Sequence, residues 1–145
     1  MDQLNLAIVG CGGMGTRHLY GVKEYASIVA GGLRGHPAFR LAAVCDPNER
    51  NANLLADTAA TELGERPRVY PSVDAMLGAA PEVDAVDVTT EPRLHHDLAA
   101  QLLGASKHVL VEKPMALTVD EATEMIAAAE SHGVTLYVAE SRSYE

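Results

Sequence analysis

The stretch that decides the fold is Leu6-Ala7-Ile8-Val9-Gly10-Cys11-Gly12-Gly13-Met14-Gly15. Residues 6–9 form a short apolar run of the kind that makes a buried strand, and the run passes directly into Gly-x-Gly-x-x-Gly. Beyond the glycines, Leu19, Val22, Ala26 and Val29 recur at helical spacing. A strand, a glycine turn and a helix in that order can cradle a diphosphate. Gly10 permits the tight turn, Gly12 lets the backbone approach a ligand with no Cβ in the way, and Gly15 lets the helix pack close to the strand. The start of the helix then offers unpaired N–H groups and the positive end of its dipole.

Working outward, Gly31, Gly32, Gly35 and Pro37 end the first helix, and residues 39–45 read as a second strand. Ala52, Leu55, Ala59 and Leu63 mark a second helix closed by Gly64. Val69 and Tyr70 suggest a short strand, Ser72 caps a brief helix that stops near Gly78, and residues 85–88 are a further strand. Leu94, Leu98 and Leu102 share a helical face that Gly104 is expected to close; residues 109–111 are a strand. Thr118 and Glu121 have capping-box spacing before a helix whose inner stripe is expected to be Ala122, Met125, Ile126 and Ala129, with Gly133 past its end and a last strand at 135–138. Strands alternating with helices predict an α/β fold: a doubly wound parallel sheet of the Rossmann kind, helices on both faces, in a single domain.

Composition agrees and excludes several classes. The 145 residues are 48% hydrophobic and 21% charged, which suits one globular domain. Aromatic residues are only 4%, so Ala, Val and Leu must fill the core. A net charge of −9 without a basic cluster argues against nucleic acid and against an anionic membrane surface as partners. No apolar run is long enough to span a bilayer, and the opening MDQLN does not resemble a signal peptide. The two cysteines, with no CxxC, read as reduced thiols, so a cytoplasmic location is expected. His95 and His96 are adjacent and point about 100° apart on a helix, which does not make a metal site. His18 is open between plain packing and support of the nearby loop; His36, His108 and His132 suggest no catalytic role.

Asp46 ends the second strand in Val44-Cys45-Asp46-Pro47-Asn48. A carboxylate there can accept hydrogen bonds from both adenosine ribose hydroxyls of NAD and would repel the 2′-phosphate of NADP, so NAD is expected over NADP. It lies 31 residues after Gly15 where about 20 is usual; the excess falls in the lengthened first helix and its glycine-rich exit. The same loop and acid also serve adenosylmethionine, which leaves the cofactor open at this point. Two later segments, Thr89-Thr90-Glu91-Pro92-Arg93-Leu94-His95-His96 and Val109-Leu110-Val111-Glu112-Lys113-Pro114, follow strands whose carboxyl ends share an edge with Gly12. Lys113 therefore arrives near the nicotinamide end of a dinucleotide laid across that edge. Its ammonium can hold a hydroxyl and stabilise a developing alkoxide.

GCGGMG followed by His18, VCDPN, TTEPRLHH and above all KHVLVEKPMALT together resemble the N-terminal domain of the glucose–fructose oxidoreductase, inositol dehydrogenase and rhizopine-catabolism (Gfo/Idh/MocA) family, from about residue 6 to 140. The resemblance implies that Gly10, Gly12, Gly13, Met14 and Gly15 hold the pyrophosphate and Asp46 the adenosine ribose. It implies that Thr89, Thr90 and His95 line the path beside the nicotinamide ribose. Glu112 and Lys113 would sit by the nicotinamide, with Lys113 as the catalytic residue contacting a sugar or polyol substrate. Where this family usually has proline, Glu91 stands. The family's second domain carries substrate specificity and an Asp-x-x-x-His pair. The expectation is a cofactor-binding domain over 1–140, with 141–145 as the truncated start of a missing domain. The implied activity is hydride transfer between NAD(P) and a secondary alcohol of a sugar or cyclitol; a stand-alone dinucleotide-binding module is the alternative. Apolar surface left near Val138 would favour self-association, visible as concentration-dependent elution from a sizing column.

Overall fold

The computed structural model describes residues 3–32 and 34–140, so the expected start of a second domain at 141–145 lies outside the described residues. Six strands, β1 (Leu4–Val9), β2 (Phe39–Cys45), β3 (Arg68–Tyr70), β4 (Ala85–Val88), β5 (His108–Glu112) and β6 (Leu136–Ala139), form one sheet in the order β3-β2-β1-β4-β5-β6. Every pairing is parallel. The helices between them are α1 (Gly13–Ala30), α2 (Glu49–Leu63), α3 (Val73–Ala79), α4 (His95–Gly104), preceded by a 3-10 turn at Pro92–Leu94, and α5 (Val119–His132). The chain order reverses between β1 and β4, which is where a doubly wound sheet opens a crevice at the carboxyl ends of its strands.

Alternation along the strands divides the core in two. Ala7, Val9, Val86, Val88, Val109 and Val111 face α3, α4 and α5, and pack with Met76, Leu102 and Met125. Ile8, Leu41 and Val44 face the other way, against Leu19 of α1 and Ala52, Leu55 and Ala59 of α2. Alanine and valine let helices sit close to the sheet, and the single-residue alternation is what gives β1 a core on both sides. None of the described helices is long and apolar enough to cross a membrane.

The helix starts follow their caps. Asn48, Ser72 and Thr118 each accept a backbone N–H from the residue three further on, at 3.1 Å. Glu121 completes its half of the α5 cap by accepting the Leu117 N–H at 2.9 Å, one residue earlier than a standard capping box. Three expectations change. The residue in left-handed conformation after α4 is Ser106, at φ 58°, while Gly104 stays helical. The Lys107 N–H reaches the Leu102 carbonyl and the Ser106 N–H that of Leu103, a Schellman closure that displaces the turn two residues past the glycine. Ile126 is 48% exposed, because α5 covers the sheet near its β6 edge and buries only a narrow stripe through Met125 and Ala129. Leu94 falls in the 3-10 turn before α4 and is largely exposed, so that face begins at Leu98.

The tightest point of the fold is where α1 meets β1. A Cβ built on Gly15 would lie 2.2 Å from the Gly10 carbonyl oxygen, a backbone atom that cannot move aside. Gly15→Ala is expected to cost about 1–3 kcal/mol, read as a lowered urea midpoint, whereas Gly21→Ala, with open space around its Cα, should be neutral or slightly stabilising.

Candidate functional site

The glycine turn is held from two sides. The Gly10 N–H donates to the Cys45 carbonyl at 2.9 Å at the end of β2, and the Thr89 hydroxyl at the end of β4 donates to the Gly10 carbonyl at 2.6 Å. At Gly10, φ is +99°, and a Cβ there would stand 2.8 Å from the Thr89 backbone. Both facts require glycine. Gly12 and Gly13 differ: nothing lies within 4 Å of a Cβ built on either, so their lack of a side chain leaves an open approach to the start of α1. That helix has no side-chain cap and no acid in its first turn, unlike α2, α3 and α5. Its leading N–H groups have no intrahelical acceptor and face solvent.

Asp46 braces the same turn. One carboxylate oxygen accepts the Cys11 N–H and the other the Asn48 N–H, both at 2.8 Å. The remaining lone pairs can still accept from a ligand. Gly10, Gly12, Asp46, Thr89 and Thr90 line one cleft of about 640 Å3, whose far wall is Pro71, Leu94 and Leu98. Glu91 lies on its rim, paired with Arg93 at 2.7 Å. Cys11 and Cys45 are buried free thiols, with the Cys11 sulfur 3.5 Å from the Cys45 carbonyl. Burial and then the Asp46 charge push both thiols up to about 12.

His95 is fully buried and does not face the cleft. Its ring spans two loops, with Nδ1 2.7 Å from the Pro114 carbonyl and Nε2 3.0 Å from that of Thr90. It braces the loops after β4 and β5. Lys113 is exposed at the end of β5, before a cis Pro114. Its N–H donates to Glu112 Oε2 at 3.0 Å.

Reading the sequence missed Asp87 and left His18 undecided. His18, in the second turn of α1, places Nδ1 2.6 Å from Asp87 and Nε2 2.8 Å from Glu112. The available signal was an acid inside the apolar strand Ala85-Val86-Asp87-Val88, since a buried carboxylate needs a partner. The Asp87 hydrogen bond, followed by the charges and the second bond from Glu112, pushes the imidazole from 6.5 to about 9 against the opposing effect of burial. Burial raises Asp87 while His18 pulls it down.

A model of an oxidoreductase family with an NAD-binding Rossmann fold (GFO_IDH_MocA) matches residues 4–140. A UDP-N-acetylglucosamine 3-dehydrogenase of Acidithiobacillus ferrooxidans is 34% identical over 95% of this chain and 37% of its own length. An inositol 2-dehydrogenase/D-chiro-inositol 3-dehydrogenase of Halalkalibacterium halodurans is 32% identical over 92% of this chain and 34% of its own. Among solved structures, GenD2 from gentamicin A biosynthesis, in complex with NAD, superposes with a TM-score of 0.75 at 34% identity, covering 95% of this chain and 34% of that one. The chain thus spans little more than a third of the length of these relatives.

His18 sets a pH dependence. Below pH 6.5 folded and unfolded chains both carry its proton and its contribution is complete; as pH rises through 6.5 to about 9 the unfolded chain loses the proton first, and stability falls. Urea midpoints should decline across that interval by the equivalent of about 1–3 kcal/mol. In His18→Gln the decline should be shallower, leaving the smaller contributions of surface His96 and, toward pH 9, of the two buried thiols, which shift in the same direction.

Proposed function

Because the chain belongs to the Gfo/Idh/MocA oxidoreductase family, we propose that it is the cofactor-binding portion of an NAD-dependent enzyme that transfers hydride between the cofactor and a secondary alcohol of a sugar or cyclitol. The observation that carries the reading is the open, uncapped start of α1 between Gly12 and Asp46. A diphosphate there would meet the N–H groups of Gly12, Gly13, Met14 and Gly15, along the helix dipole. The open space at Gly12 is the cradle that a side chain would fill.

Asp46 would take the adenosine ribose hydroxyls and disfavour a 2′-phosphate, which makes NAD the expected cofactor and NADP the weaker one. Thr89 holds the turn, and Thr90 faces the cleft beside it. When bound, NAD supplies the hydride acceptor. Lys113 is the residue we place against the substrate, where its ammonium would hold the hydroxyl oxygen and favour loss of its proton. Glu112 fixes the Lys113 backbone. A cytoplasmic setting, in which the two buried thiols stay reduced, belongs to the same proposal.

One observation favours the alternative, a dinucleotide-binding module that does not turn over by itself. His18 and His95, the two histidines nearest these loops, have both ring nitrogens engaged by carboxylates or carbonyls, so neither is free to shuttle a proton. Isothermal titration with NAD alongside a dehydrogenase assay on polyols separates the two, since binding without turnover selects the module. Gly12→Val should weaken NAD by at least about tenfold, or 1.4 kcal/mol, with a thermal midpoint close to wild type because its Cβ meets nothing within 4 Å. Unchanged affinity in that variant and in Asp46→Ala would contradict the reading.

A further inference from the structure

We propose that His18 is a positioning residue: held between Asp87 and Glu112, it sets the direction of the Lys113 turn and fixes the distance from that turn to the glycine loop. The inference rests on the placement of NAD argued above and deepens it.

Geometry leads the argument. Carboxylates only accept hydrogen bonds, and each ring nitrogen of His18 has a carboxylate oxygen at 2.6 or 2.8 Å. A neutral ring would turn one lone pair onto an acceptor, so the arrangement calls for an imidazolium. The cluster is well enclosed, with side-chain exposures of 17% for His18, 4% for Asp87 and 13% for Glu112. Glu112 then uses its second oxygen to accept the Lys113 N–H. Contacts therefore run unbroken from α1 through His18 and Glu112 to the Lys113 backbone, while the Lys113 ammonium has no ion pair among the described residues and stays available.

One helix thus serves both ends of the site. The start of α1 is where the diphosphate would rest, and His18 follows about 7 Å further along the axis. The helix cannot slide along the sheet, because Gly15 abuts the Gly10 carbonyl. α1 becomes a ruler between the diphosphate and Lys113. The titratable and charged groups along the same flank are Arg17, His18 and Tyr25 from α1, Asp87 from β4, His108 and Glu112 from β5, and Tyr137 from β6. Asp87 Oδ1 has no hydrogen-bond partner among the described residues, so Asp87, like Glu112 on the other side of the ring, is a competing location for the proton assigned to His18.

The test uses the full chain labelled with nitrogen-15. At about pH 8, where a free imidazole is neutral, both His18 ring nitrogens should be protonated. His18→Gln and Glu112→Gln should each speed exchange of the Lys113 amide by about tenfold while that of the Cys11 amide, held by Asp46, is unchanged. Titrations with NAD and with ADP-ribose, which lacks the nicotinamide, add a readout that general loosening would not give. In both variants NAD should weaken about fivefold, the equivalent of about 1 kcal/mol, and ADP-ribose less than about twofold. A neutral His18 ring, an unmoved Lys113 amide, or equal loss of both ligands would overturn the proposal. Failure of wild type to bind either ligand would instead overturn the NAD reading; the ring and amide measurements judge His18 independently of it. Glu112→Gln keeps the shape of the cluster and serves if His18→Gln does not fold.

Discussion

The close approach of Gly15 of α1 to the carbonyl of Gly10 is the constraint from which the site follows. With no Cβ at either position, the helix starts directly over the end of β1. Its N-terminus therefore points into the crevice between β1 and β4, where the sheet reverses its order. Thr89 from one neighbouring strand and Cys45 from the other then tie down Gly10. These contacts are made by the protein itself, so the cradle exists before any ligand arrives, and little ordering cost falls on binding.

Asp46 has two tasks that need the same atoms. Its oxygens brace Cys11 and Asn48, and their free lone pairs face the cleft. If NAD binds as proposed, support of the loop and recognition of a ribose become inseparable, and loss of the side chain would weaken both. The opposite end is organised differently. Lys113 carries a charge with no ion pair among the described residues, on a backbone held by neighbours on either side, Glu112 before it and the His95 bridge to the Pro114 carbonyl after it. On the proposed placement of NAD, the adenosine end would serve for holding and the nicotinamide end for aiming a single cation.

Much of this was legible in the sequence. The strand–glycine–helix unit could be read because Gly10 and Gly15 answer steric demands that only glycine meets, and the caps at Asn48, Ser72 and Thr118 answer unpaired N–H groups. The six strands and their parallel arrangement followed from alternation of short apolar runs with helical spacing. What escaped was set by tertiary contact. Ser106 takes a left-handed conformation with nothing in its side chain to announce it, because Leu102 and Leu103 offer the closing carbonyls. Ile126 fits a helical stripe but lies beyond the part of the sheet that α5 covers. His18, Asp87 and Glu112 stand 69 and 94 residues apart in the chain, a separation no local pattern spans. His95 was placed in the correct loop region, yet local spacing does not reveal that its ring points inward to two carbonyls.

On the proposed reading, the start of α1, braced by Asp46, receives a dinucleotide diphosphate. A crystal structure of the chain soaked with NAD tests it most directly. Diphosphate oxygens are expected on the backbone N–H groups between Gly12 and Gly15, with the adenosine ribose hydroxyls on the Asp46 carboxylate. NAD bound elsewhere on the sheet, or a cleft still empty at saturating cofactor, would contradict it.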